Sequence, residues 1–304
     1  MRVLLAAVFI TFAAPVLTSA QALNPELIFG RDYTLERMEA KRKVHDADDH
    51  GTIRLVTYVY RPTKNDRKEV VLFSHGSTGG LIRSPKEMDG PPRSVIAFFV
   101  SRGFTFVAPM RRGRGESSGT YVEECSFYLG ECTLAQQVEL TERSLREALR
   151  DTNAIIDQII LGRLVPRNSK FLAAGISRGG FLSLMLAGER PQAVKAIINF
   201  AGGWHSVTAK YPPADSKLRL EAQTMRLAQA GKLTTAPAIF VYAARDPFYD
   251  PNIPREFFRF WQEAGGKGEY VYITEHSLAS GHFVASDSGL WQRQVDEFLK
   301  TLGP

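Results

Sequence analysis

Cysteine is scarce: the 304-residue chain has two, Cys125 and Cys132. That excludes a disulfide-knit scaffold and a cysteine-rich metal centre. After residue 22 no apolar run is long enough to span a bilayer. No repeat and no low-complexity tract is present. A strong excess of one charge is lacking too, since 38 Lys and Arg face 32 Asp and Glu, for a net +6. The basic run Lys41-Arg42-Lys43 is followed at once by Asp46, Asp48 and Asp49 and reads as a solvated mixed-charge face. Without a patterned basic face, nucleic acid is not an expected partner. What is left is an ordinary globular composition, 44% hydrophobic and 23% charged, at a length suited to one α/β enzyme domain with insertions.

Residues 1–22 are predicted to be a secretory signal peptide. Arg2 supplies the positive end, Val3 to Leu17 is apolar apart from Thr11 and Pro15, and Ala20-Gln21-Ala22 is an A-x-A cleavage site. Cleavage lowers the net charge by one and leaves a single mature domain, 23–304. No cysteine follows the cleavage site, which argues against a lipid anchor. Export makes the expected location periplasmic or secreted, and there Cys125 and Cys132 can close a small loop. The chain-entropy estimate for such a loop is about 2–3 kcal/mol.

From residue 70 onward, strand-like and helix-like stretches alternate. Val70–Ser74, Phe104–Ala108, Phe171–Gly175, Val194–Phe200, Ala238–Ala243 and Glu269–Ile273 read as strands, the first and third of them as apolar runs. Ser94–Ser101, Leu134–Leu161, Phe181 onward, Asp215–Ala230, Pro254–Ala264 and Ser288–Leu302 read as helices, with a kink or break expected at Asp151-Thr152-Asn153. Thr52–Arg61 alternates like an edge-type antiparallel strand. Residues 23–49 read as polar outer covering, with a short helix around 35–43. The pattern predicts an α/β fold with a mostly parallel central sheet, helices on both faces, and active-site groups at the strand C-termini.

One stretch meets the requirements of a nucleophile elbow. The strand Phe171-Leu172-Ala173-Ala174 runs into Gly175-Ile176-Ser177-Arg178-Gly179, and a helix follows. Gly-x-Ser-x-Gly between a strand and a helix presents the serine hydroxyl above the sheet and aims the first helical N–H groups at the same place. A serine nucleophile needs a base, an acid to orient that base, and donors for the oxyanion. Asp246 lies just past a buried strand and is the preferred acid, with Asp250 as rival. His282, next to Gly281 after the last strand, is the preferred base, with His276 as rival; Gly281 is expected to let the backbone turn the imidazole inward. The expected oxyanion donors are the N–H groups of Arg178 and of Ser77, with Thr78 next, in the loop His75-Gly76-Ser77-Thr78-Gly79-Gly80. His75 reads as a residue that orients its own loop.

With these residues in place, the chain resembles α/β-hydrolase-fold serine hydrolases, close to the dienelactone hydrolase and prolyl-oligopeptidase-like esterase group. The resemblance rests on His75-Gly76, on Gly175 to Gly180, on Asp246 and Gly281-His282 in the order Ser, Asp, His, and on Arg111-Arg112-Gly113-Arg114-Gly115-Glu116-Ser117, which is similar to an Arg-Gly-x-Gly-x-Ser loop of these families. It covers residues 50 to 300. It implies a cofactor-free, metal-free Ser-His-Asp mechanism acting on an ester or related acyl bond of a small molecule, with a peptidase or acyltransferase as the alternative. Dienelactone hydrolases proper use cysteine where this chain has Ser177, so their substrate is not implied.

Specificity is less legible. Trp204, Arg112 and Thr78 are candidate pocket residues, and His205 is placed to reach the same pocket. Residues 204–233 resemble a small cap-like insertion, and the cysteine loop reads as a second rim element. At least one of Arg111, Arg112 and Arg114 is expected to serve an internal structural role.

Overall fold

A computed structural model describes residues 29–77, 90–123 and 132–303. The signal peptide, Thr78 and Cys125 lie outside these segments. Eight strands form one sheet in the order β1-β2-β4-β3-β5-β6-β7-β8. The strands are β1 (Tyr33–His45), β2 (His50–Pro62), β3 (Val70–Ser74), β4 (Thr105–Pro109), β5 (Phe171–Ile176), β6 (Val194–Phe200), β7 (Ala238–Ala243) and β8 (Gly268–Ile273). β1 and β2 are antiparallel, as are β2 and β4; every pairing from β4 to β8 is parallel. All residues of β3, β4 and β7 are buried, as expected of strands covered on both faces.

The helix expected at 35–43 is instead the middle of β1. Leu, Glu, Arg, Met, Ala and Lys there are good helix formers. Their burial has period two, however: Met38 and Ala40 face the core while Arg37, Lys41 and Lys43 face solvent. Pairing with β2 along the full strand overrides the propensity. As a result β2 is not the edge strand it resembles; β1 covers it.

The described helices are α1 (Arg93–Ser101), α2 (Leu134–Ile155), α3 (Arg178–Glu189), α4 (Pro213–Leu233), α5 (Ile253–Glu263) and α6 (Gln292–Thr301). Thr133 caps α2 in a capping box with Gln136. α2 runs unbroken through 151–153, and the winding changes later, to a π-type turn at Ile156–Ile160. The last helix begins at Gln292, after a short 3-10 turn at Ser288–Leu290.

The segment 204–233 is not a cap in its helical part. α4 packs against α3 and α5 as the crossover between β6 and β7. Its close approaches are made at glycines: a Cβ on Gly188 of α3 would crowd the backbone of Ala230, and one on Gly231 would crowd the carbonyl of Trp261. The parallel strands end together at one sheet edge. The residues after β3, β4, β5, β7 and β8 therefore converge there, and these include His75, Arg111, Ser177, Asp246 and His282.

Candidate active site

Ser177 sits on the turn between β5 and α3 at φ 56° and ψ −127°. A non-glycine residue at positive φ costs on the order of 1–3 kcal/mol and persists only where its surroundings hold it. Here the Ser177 N–H donates to the Phe200 carbonyl (2.9 Å), and the Ser177 carbonyl accepts from the N–H groups of Phe181 (3.1 Å) and Gly203 (3.2 Å). The flanking glycines are required by contact. A Cβ on Gly179 would overlap the carbonyls of Ser74 and His75, and one on Gly175 would overlap the backbone of Gly179.

The structure brings His282 and Asp246 together. The His282 Nδ1 lies 2.8 Å from Asp246 Oδ2, and both side chains are buried. Asp246 Oδ1 also accepts from the Phe248 N–H at 2.8 Å, so the carboxylate is held from both ends. The Phe248 ring lies 4.5 Å from the imidazole, centre to centre. Gly281 works differently from the expectation. Its φ is not in the left-handed region; a Cβ there would overlap the carbonyls of Ala243 and Ala244, so glycine lets the loop after β8 lie directly on the loop after β7. The rivals are engaged elsewhere. Asp250 Oδ2 accepts from the Ala209 N–H (2.8 Å). His276 donates through Nε2 to the Ala244 carbonyl (2.7 Å) and accepts at Nδ1 from Arg245 (3.0 Å).

The loop after β3 runs against the elbow, and a Cβ on Gly76 would stand 3.2 Å from Ser177 Cβ. Half-buried Ser77 follows it. Arg178 is the first residue of α3. His75 is buried, with its Nδ1 2.7 Å from the Gly76 carbonyl and its Nε2 accepting from the Arg111 N–H at 3.1 Å. Burial above all, then the charges of Arg111 and Arg114, push its pKa well below the usual histidine value. It is a neutral histidine that holds its own loop, as the sequence suggests.

Sequence reasoning missed Glu123. Its buried carboxylate pairs with the Arg111 guanidinium through both oxygens and with Arg114 Nη2 at 3.2 Å, and Arg178 Nη1 stands 3.6 Å away. Burial alone would raise its pKa, but the arginines outweigh burial and hold it well below the usual carboxylate range. No local sequence signal marks it, because its partners come from the loop after β4 and from the start of α3 rather than from its immediate neighbours.

Two expected pocket residues are not pocket residues. Arg112 is buried among Asp46, Asp49, Glu147 and Asp151, with contacts from 2.7 to 3.2 Å, and faces no substrate. It ties the β1–β2 turn to α2. Trp204 is 2% exposed. Its indole N–H donates to the Thr141 carbonyl (2.7 Å) and its backbone N–H to Gln223 (2.6 Å), so the ring is held in the core. His205 is buried beside Glu142. Among the described residues no group of three His, Cys, Asp or Glu gathers as metal ligands.

The sequence profile of the X-Pro dipeptidyl-peptidase (S15) family matches residues 49–236. No curated protein matches the chain in sequence. Among solved structures, the chain is similar in fold to an esterase of Pyrococcus furiosus, with a TM-score of 0.58 at 14% identity over 89% of this chain and 94% of that one. It is also similar to Est1E from Butyrivibrio proteoclasticus, solved with ferulic acid bound, with a TM-score of 0.56 at 17% identity over 82% and 96% of the two chains. An acylaminoacyl peptidase of Pyrococcus horikoshii gives 0.57 at 15% identity over 88% of this chain and 41% of that one. An elbow serine, a sheet of this order and a profile match over more than half the length agree: the chain is a serine hydrolase of the α/β-hydrolase fold and belongs to the X-Pro dipeptidyl-peptidase (S15) family.

Proposed function

We propose that the protein hydrolyses carboxylic esters of small molecules through an acyl-enzyme on Ser177. The observation that carries this reading is the His282–Asp246 hydrogen bond of 2.8 Å at the sheet edge that also carries the strained Ser177 turn. In the first half-reaction Ser177 Oγ attacks the ester carbonyl and its proton passes to His282 Nε2. Asp246 holds the opposite ring nitrogen and stabilises the imidazolium. The N–H groups of Arg178 and Ser77 receive the oxyanion. Collapse expels the alcohol, which takes the proton from His282. Water, deprotonated by the same imidazole, then repeats the attack and frees the acid.

Family membership favours a second reading, cleavage of a dipeptide from an amino terminus. That reaction needs a carboxylate to receive the substrate's ammonium group. Glu123, the buried acid that meets Arg178 of the elbow helix, is committed to arginines. Ester hydrolysis needs no such group, and the commitment of Glu123 to its arginines is what supports the first reading.

Purified enzyme should turn over p-nitrophenyl esters from acetyl upward and should be labelled by a fluorophosphonate, with both lost in Ser177→Ala. An X-Pro-p-nitroanilide cleaved faster than every ester would replace the ester reading with the peptidase one. Full ester turnover by Ser177→Ala would sink both. The same proposal includes export, with the mature chain starting at Leu23 and a Cys125–Cys132 disulfide. Its support is the leader sequence and the spacing of the two cysteines. Edman sequencing of the native protein and its mass before and after reduction test these points.

A further inference from the structure

Glu123 lies on neither the nucleophile turn nor the loop after β3, yet it is joined to both. Through its carboxylate it holds Arg111. The same guanidinium reaches the carbonyls of His75 (2.5 Å) and Gly76 (3.1 Å), the two residues that precede Ser77. On the other side the Glu123 carbonyl accepts from Arg178 Nη1 (2.6 Å), and Arg178 Nε donates to the Trp204 carbonyl at 3.1 Å. One buried residue thus connects the backbone segments that carry Ser77 N–H and Arg178 N–H. An amide whose flanking carbonyls are gripped by a guanidinium cannot rotate toward or away from the substrate. Preorganised donors stabilise an oxyanion because they need no reorientation when charge appears.

We infer that Glu123 is a positioning residue for the oxyanion hole, setting the gap between its two halves through Arg111 on one side and Arg178 on the other. This rests on the acyl-enzyme reading above. The role is separate from stability. A residue that merely filled the core would change folding and leave the ratio of transition-state to ground-state binding alone. Glu123 should change that ratio, because the oxyanion exists only after attack.

The test compares wild type with Glu123→Gln and Arg178→Gln. Glu123→Gln keeps the shape and removes the charge that holds Arg111. Arg178→Gln leaves the backbone N–H in place and removes the side-chain link from a partly exposed position. On p-nitrophenyl butyrate each variant should lose kcat, Glu123→Gln on the order of 10²-fold and Arg178→Gln about tenfold, with KM within threefold. Inhibition by an alkyl trifluoromethyl ketone should weaken in parallel. Ser177 Oγ adds to its carbonyl, the proton goes to His282, and the adduct places an oxyanion in the hole. Circular dichroism and thermal unfolding identify the folded fraction.

If folded Glu123→Gln keeps kcat within threefold, or loses kcat with no loss of ketone affinity, the inference fails. Should Glu123→Gln not fold, Arg178→Gln decides alone, and wild-type kcat and ketone affinity in that variant overturn the inference. Ser177→Ala separates the two levels. A dead Ser177→Ala beside a fully active Glu123→Gln removes only this inference, while an active Ser177→Ala removes the acyl-enzyme reading itself.

Discussion

At the scale of single residues, the proposed acid and base differ from their rivals in what each one touches. Asp246 and His282 touch each other, whereas Asp250 is spent on a backbone N–H and His276 on Ala244 and Arg245. Asp246→Asn leaves the imidazole poorly oriented and removes the charge that supports its protonated form, so kcat should fall by about 10³–10⁴-fold. Asp250→Asn and His276→Ala should stay within a few-fold of wild type. Steady-state kinetics on one ester checks all three, and the order of effects reversed between the aspartates would transfer the acid role to Asp250. Arg112 gives a prediction of a different kind. Its guanidinium stands between four carboxylates, and Arg42 reaches only Glu147 and Asp151 among them. Arg112→Met leaves half-buried Asp46 and Asp49 beside buried Glu147 and Asp151 without that cation. Breaking a buried ion network by removing one partner typically costs about 3–5 kcal/mol. Urea unfolding should show a loss of that size.

At the scale of elements, the loops after β7 and β8 work as one piece because Gly281 lets them touch. Gly281→Ala places a methyl group against the Ala243 and Ala244 carbonyls and pushes His282 away from Asp246. A displacement near 1 Å at a general base can cost about 10²-fold in rate. The variant should therefore lose kcat strongly while remaining folded at 20 °C, as read by kinetics alongside thermal unfolding. Most of this element-level picture was legible in the sequence. The buried parallel strands announce themselves as apolar runs, and the elbow carries its own turn chemistry in Gly175 and Gly179. Where reading failed, the deciding force was non-local. β1 has the composition of a helix and is a strand because β2 offers it a partner along its whole length. Trp204 looks like a pocket aromatic and is a core residue because a carbonyl of α2, sixty-three residues away in sequence, receives its N–H. Arg112 looks like a pocket residue and is instead paired with acids from the β1–β2 turn and α2. Glu123 had no signal of its own, since Arg111 and Arg114 lie 12 and 9 residues before it and the third arginine opens α3.

At the scale of the whole molecule, the histidines and carboxylates whose pKa values are shifted share one direction of pH dependence. His75 and His205 are held neutral, their pKa values lowered first by burial. For Asp46, burial acts upward but hydrogen bonds from Arg112 and from the Asp48 and Asp49 N–H groups prevail and bring it down to about 2. Glu123 is lowered by its arginines in the same way. A group whose pKa is lower in the folded state binds more protons when unfolded, so its contribution to stability is complete above its unfolded value and declines as pH falls. The histidines act first, below about 6.5, where each contributes a slope of up to about 1.4 kcal/mol per pH unit. The carboxylates act later, from about 4 downward toward their folded values. Unfolding free energy should therefore be flat from pH 8 to 7, decline between 6.5 and 5 through the histidines, and decline more steeply below 4. His75→Gln offers an amide donor for the Gly76 carbonyl and an oxygen for the Arg111 N–H without a titrating ring. It should lessen the slope between 6.5 and 5, leaving the His205 share of that slope and the fall below 4 in place. Urea unfolding of both proteins at half-unit pH steps makes the comparison. Equal slopes between 6.5 and 5 would show that His75 is not held neutral by its loop and would remove the electrostatic part of the account given for it.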